Sequence, residues 1–189
     1  MHDIEPHYNW LHLYNSEEDE HSPFFEQVHS EFVFSNTVYN YLIHPQWDNF
    51  GSATLYLKIL FADYEKGFAI IEFIGEWNDI IHNDIMTLKR EVIELLQGEG
   101  IDKFILIGEN ILNFHSSDDS YYEEWYNDIE DEGWIALINF REHVLEEFKQ
   151  CHIDYFVNFG GELDQLQWRK YTPVQMCKKV EEIIHHRIG

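Results

Sequence analysis

The stretch GFAIIEFIGEWND, residues 67–79, opens on glycine and runs through Phe68, Ala69, Ile70, Ile71, Phe73 and Ile74. Aromatic and β-branched side chains dominate it, as they do in strands. Immediately upstream, DYEKG (63–67) ties it to ATLYLKILFADY (53–64), a second run of the same kind. A short glycine-containing link between two apolar strand patterns predicts an antiparallel hairpin. Farther upstream, EFVFSNTVYNYLI (31–43) also reads as strand, and the turn-rich HPQWDNFGS (44–52) separates it from the hairpin.

Downstream the rhythm changes. NDIMTLKREVIELLQGEG (83–100) places Ile85, Leu88, Val92, Leu95 and Leu96 at helical spacing, with Gly98 and Gly100 ending the pattern. KFILIG (103–108), WIALINF (134–140) and YFVNF (155–159) are short apolar runs, the signature of strands covered on both faces. Between them, REHVLEEFKQ (141–150) is amphipathic, with Asn139 as its expected cap and Glu142 at N3. In the last helix, TPVQ (172–175) supplies Thr172 as cap, Pro173 at the first helical position and Gln175 at N3. Met176, Cys177, Val180, Ile183 and Ile184 form its apolar stripe. Strands first, then alternating helices and strands, predict an α/β fold: a mixed sheet with antiparallel N-terminal strands and βαβ units, helices packed on the sheet.

The chain has 189 residues, which fit one domain with an extension. Residues 1–30 lack a sustained period and read as an N-terminal arm; residues 31–189 read as a single α/β domain. Tyr8, Trp10, Leu11, Phe24 and Phe25 are too apolar for a free tail, so parts of the arm are expected to pack on the domain. With 36 acidic against 12 basic residues the formal charge is −24, a field that repels nucleic-acid phosphates and anionic membranes. Cys151 and Cys177 are far apart and outside any CxxC pattern, which points to free thiols and a reducing cytoplasm. The opening MHDIEPHYNW lacks the basic and apolar regions of a secretion signal, and no apolar run approaches the ~20 residues of a membrane span.

NFHSSDDSYYEEWY (113–126) carries the densest array of reactive side chains. His115, Ser116 and Asp118 are nearly consecutive, whereas a catalytic triad converges from separated segments, and no GxSxG surrounds either serine. No catalytic residue is assigned. Ser116 or Ser117 is the expected N-cap of a helix with Asp118 and Asp119 in its first turn, where carboxylates meet the positive end of the dipole. Tyr122, Trp125, Tyr126 and Ile129 then share a buried face, leaving Glu123, Glu124, Asn127 and Asp128 outside. His2, His7 and His12 recur five apart and do not share a helical face, and HExxH, EF-hand and cysteine-based patterns are missing, so neither metal nor cofactor is assigned. Glu72, Glu76, Asp79 and Asp84 read as solvated carboxylates, the default in so acidic a chain.

GFAIIEFIGEWND, with Gly75, Glu76, Trp77 and Asn78 in place of a GELD-like turn, resembles the opening strand and turn of the STAS domain, the fold of anti-sigma factor antagonists and of sulfate-transporter tails. KFILIG follows, then NILNFHSSDD (110–119) where the family has an apolar pair, Asp, Ser, Ser or Thr, and Gly. WIALINF, HVLEEFKQCHID (143–154) and YFVNF continue the likeness, which covers roughly 55–187. The resemblance implies a regulatory domain that acts through a protein partner, with Ser116 as phosphate acceptor and Ser117 beside it. His115 replaces the family's aspartate and Asp118 its glycine, so Asp118 and Asp119 are expected to hold the helix start in a phosphate-like state without modification.

The expectation is therefore a cytoplasmic, non-enzymatic interaction domain. Its regulatory loop is His115, Ser116, Ser117, Asp118 and Asp119, and its partner surface Glu123, Glu124, Asn127 and Asp128. The alternative is an enzyme with an acid- and His-lined site, its chemistry metal-assisted hydrolysis. Tyr41, Trp47, Phe50 and Trp168 could instead serve self-association; sequence does not decide the oligomeric state.

Overall fold

The 53–64 and 67–79 runs pair as the antiparallel hairpin that their sequences predict. In the computed structural model, which describes residues 3–129 and 131–188, a two-residue hairpin comes first, β1 (Thr37–Val38) and β2 (Tyr41–Leu42). The main sheet contains β3 (Leu55–Asp63), β4 (Phe68–Asn78), β5 (Lys103–His115) and β6 (Trp134–Ile138), in that spatial order. β3 and β4 are antiparallel; β4, β5 and β6 run parallel. β4 is buried over its full length, because it has a strand on each side and a layer of side chains on each face.

The β4–β5 crossover is a helical rod made of α1 (Asp84–Leu88), a π-helical turn (Lys89–Ile93) and α2 (Glu94–Gly98). α3 (Ser120–Ile129) joins β5 to β6, α4 (Glu142–Gln150) follows β6, and α5 (Pro173–Ile188) closes the chain. One face of the sheet, with Ile71, Phe73 and Trp77 of β4, packs against the rod, α3 and α4. Trp77, Phe114, Tyr122 and Phe148 stack there with centroid separations of 4.2–6.5 Å. Each such pair adds about 0.5–1.5 kcal/mol beyond area burial. The opposite face, with Phe68 and Ile70, is covered by α5 and by Trp10, Leu163, Leu166 and Trp168. Farther along that face, Ile74 packs with Val38, Ile43 and Trp47.

Two glycines set close approaches. Gly75 has φ +118°, and a Cβ there would lie 2.1 Å from the Thr54 carbonyl oxygen. At Gly108 a Cβ would meet the Phe140 ring at 2.3 Å.

The arm is docked, as its aromatics predict, although its first two residues, His2 among them, lie outside the described residues. Trp10 and Phe24 are buried. The His7 ring sits 4.8 Å from both Trp10 and Trp168, edge-on to each, and Trp47 Nε1 donates to the Ile4 carbonyl. Tyr14 and Tyr64 both donate to Asp19. The capping box of α5 forms as expected: Thr172 N–H donates to Gln175 Oε1 at 3.0 Å and Gln175 N–H to Thr172 Oγ1 at 3.4 Å.

Three expectations are corrected. Residues 31–43 yield only the two-residue strands, because Phe32 and Val33 point into solvent and find no face to cover. YFVNF is no strand: Asn158 alone reaches β6, bridging Ala136, before the positive-φ pair Gly160 and Gly161 turns the chain away. Asn139 does not cap α4. It adopts φ 56° and spends its side chain on Glu109 and on both backbone groups of Leu166, so Arg141 occupies the cap without a side-chain bond.

Candidate functional site at the carboxyl ends of β4 and β5

At the carboxyl end of the parallel pair, Glu76 lies opposite Asn113 and Asn78 opposite His115. Loops beyond the carboxyl ends of strands are where α/β sheets place ligands and partners. Glu76 is buried, and three side chains from two segments converge on it. Tyr39 Oη, from the β1–β2 turn, donates to Oε1 at 2.6 Å; Asn113 Nδ2 lies 3.5 Å from Oε2, and His115 Nε2 3.6 Å from Oε1. The Tyr39 hydroxyl is held above its ordinary pKa, first by this bond.

Immediately beyond, residues 79–84 form a loop clamped at both ends. Asp79 Oδ1 accepts from Trp77 Nε1 at 3.0 Å and from the Ile85 N–H at 2.9 Å; its Oδ2 accepts from the Tyr122 hydroxyl at 2.8 Å. Asp84 Oδ2 accepts the Asn78 N–H at 2.7 Å. The Asp79 N–H donates to the His115 carbonyl at 2.8 Å, joining this loop to the serine bend. Burial pushes the Asp79 carboxyl up to about 7 against the pull of Tyr122, Ile85 and Trp77, and raises Asp84 as well. Between these anchors Ile80 and Ile81 stand in solvent, 64% and 73% exposed.

The expected solvation of the four carboxylates is thus corrected: Glu72, Glu76, Asp79 and Asp84 are all buried. They do not form one acid–base pair. Glu72 lies beneath the arm, where its Oε2 accepts the His7 N–H at 2.8 Å and Arg169 approaches Oε1 to 3.8 Å; burial pushes it up to about 7. Neighbouring Glu109 accepts from Asn139, Trp168 and Arg169, and stays below its usual range because these donors outweigh its burial. Asp79 has both oxygens occupied by fixed donors, an arrangement that holds a loop rather than moving a proton. No sequence period marks these groups: His7, Tyr39 and Tyr122 reach Glu72, Glu76 and Asp79 from far along the chain.

The serine bend differs from expectation in one decisive respect. Neither Ser116 nor Ser117 caps α3. The helix starts at Ser120, and the anchoring side chain is Asp118, whose Oδ1 accepts the Ser120 N–H at 3.0 Å and the Ser120 hydroxyl. These bonds hold Asp118 below its usual carboxylate range. β5 continues to His115, leaving Ser116 half-buried with an enclosed, unpartnered Oγ. His115, Ser117 and Asp118 are exposed and Asp119 is half-buried.

On α3 the predicted buried face holds for Tyr122, Trp125 and Ile129. The outer face holds as well: Glu123, Asn127 and Asp128 are exposed and Glu124 is half-buried, with Glu124 and Asp128 also paired with the rod. Lys89 Nζ, fully buried, lies 2.7 Å from Asp128, 3.2 Å from Glu124 and 3.2 Å from Glu94. Arg90 grips both oxygens of Glu124 at 2.7 and 3.1 Å.

Among the described residues no helix is long and apolar enough to cross a membrane. Compared with known proteins, the chain matches no family model and no curated sequence.

Proposed function

We propose that the chain is a non-enzymatic, regulatory protein-interaction module of the kind its likeness to anti-sigma factor antagonists implies. Its contact surface is the rim formed by loop 79–84 and bend 115–119. One observation carries this reading: Ile80 and Ile81 are held in water on a backbone fixed by two buried carboxylates, directly beside the exposed bend. Branched apolar side chains on a rigid loop lose little entropy on binding, so they suit a preorganised contact. Tyr39 and Tyr41, 62% and 67% exposed, extend the apolar area from the adjoining hairpin. Glu123 and Asn127 face solvent on the helix that follows the bend, and the acidic chain favours a partner whose matching face is apolar with a cationic margin.

Asp118 already supplies a permanent anion at the start of α3, which supports a constitutive rather than phosphate-gated state. Of the two serines, Ser117 is the one presented to solvent. The test compares wild type with Ile80→Asp/Ile81→Asp and with Ser117→Asp in quantitative pull-downs from the source cells. A specific partner should be lost with the double substitution while the melting temperature stays unchanged. An identical partner profile for wild type and the Ile80→Asp/Ile81→Asp variant sinks the proposal.

A further inference from the structure

Far from the rim, the arm is fastened to the sheet at a cluster of ionisable groups with unusual composition. Glu17 belongs to an arm turn closed by the Glu26 N–H donating to the Glu17 carbonyl at 2.9 Å. His29 follows in the chain. Asp48 is fixed by a two-way backbone bridge to Leu57 of β3, at 2.7 and 3.1 Å. The side chains meet in a largely closed space: Asp48 is 0% exposed, His29 12% and Glu17 23%. His29 Nε2 lies 2.5 Å from Asp48 Oδ1 and 3.2 Å from Glu17 Oε1. Among the described residues, this is the one place where three such ligand atoms fall within 4.8 Å of one another.

Two features point to a cation. Asp48 Oδ2 is buried and accepts no hydrogen bond. The nearest positive group, Lys58 Nζ, sits 2.7 Å from Glu17 Oε1 but only within 3.4 Å of Asp48 Oδ2. One lysine opposite two carboxylates leaves a negative charge uncompensated whenever the imidazole is neutral. A tetrahedral zinc ion separates its donor atoms by ~3.4 Å, so the observed separations need to open by less than ~1 Å to admit one. The imidazole nitrogen selects a borderline transition metal over calcium or magnesium, which take oxygen ligands. The strongly negative chain concentrates any dication around itself.

We propose that Glu17, His29 and Asp48 form a binding site for one divalent transition-metal ion of the zinc class, which staples the N-terminal arm to β3. The ion takes Glu17 Oε1, Asp48 Oδ1 and the unprotonated His29 Nε2, with water completing its shell. Lys58, 2.7 Å from Glu17 Oε1 in the metal-free chain, gives up that contact to the ion and keeps its pairing with Asp48 Oδ2. The site is independent of the rim, and its ligands come from two arm positions and one sheet-anchored position, so occupancy couples directly to arm docking.

The test uses the full chain, stripped with a chelator and dialysed, titrated with Zn²⁺ by calorimetry and followed by thermal unfolding; Co²⁺ is added separately as a spectroscopic probe. One ion should bind per chain, raise the melting temperature by about 5 °C, and give the d–d absorption of tetrahedral Co²⁺, with Mg²⁺ inert. His29→Gln should weaken Zn²⁺ binding by at least about tenfold and abolish the cobalt signal, and Glu17→Gln should do the same should His29→Gln lose its native circular dichroism. Absence of stoichiometric Zn²⁺ binding, or a titration unchanged in the folded variant, overturns the site and assigns any residual binding to surface histidines.

Discussion

Two lysines are buried in this acidic molecule, each facing several anions, and their surroundings differ. Lys89 lies within the helical layer, between the rod and α3, and its partners Glu94, Glu124 and Asp128 are 38%, 39% and 46% exposed. Lys58 lies on β3 under the arm, where Asp48 is fully enclosed, Glu17 is 23% exposed and His29 joins them. At Lys89 the carboxylates reach water and an inward cation draws them together. At Lys58 the carboxylates themselves are withdrawn from water and depend on whatever positive charge is present. Enclosure of the anion, rather than the number of ion pairs, decides how much such a knot matters.

The largest expected effect is therefore at Lys58. Lys58→Met should destabilise the chain by about 3–5 kcal/mol in denaturant titrations, because two enclosed carboxylates lose their counter-ion. Saturating Zn²⁺ should recover part of that loss, and should do nothing for the equivalent change at Lys89. Lys89→Met should lower stability by only about 1 kcal/mol by the same measurement, since its anions return to solvent. An equal loss at both sites would remove the distinction.

Asp79 adds a pH dependence of a third kind. Burial lifts its folded-state pKa to about 7, above the 3.8 of a free aspartate side chain. The folded chain therefore binds a proton that the unfolded chain has released between those values, and this contribution to stability falls as pH rises from about 4 to about 7. Glu72, also raised to about 7, acts in the same direction. Asp79→Asn should flatten the melting temperature against pH in this window, changing the slope by an amount equivalent to about 1–3 kcal/mol. An unchanged slope would show that Asp79 is ionised throughout. Smallest of the set, Asp118→Ala removes the anchor of α3 and should cost about 0.5–1 kcal/mol, read from the same denaturant curves.

Where partners were local, the chain was legible. The β3–β4 hairpin followed from DYEKG, and the α5 start from TPVQ, because strand alternation and capping chemistry act over a few residues. Residues 31–43 misled because β-propensity describes a fit to a half-buried surface, and Phe32 and Val33 have none. Asn139 and the two serines had the composition of caps, but long-range partners claimed Asn139 and Asp118 claimed Ser120. The candidate sites were less accessible still. Tyr122 meets Asp79 across 43 residues, and Glu17, His29 and Asp48 share no spacing that any local motif describes.

The seat of His7 between Trp10 and Trp168 has a consequence for how the chain is made. Residues 7 and 10 leave the ribosome well before Trp168 does, so one wall of the seat does not exist while the arm waits. The nascent arm must keep an indole uncovered until Trp168 has been made, and its insertion then closes a loop that takes in most of the described residues.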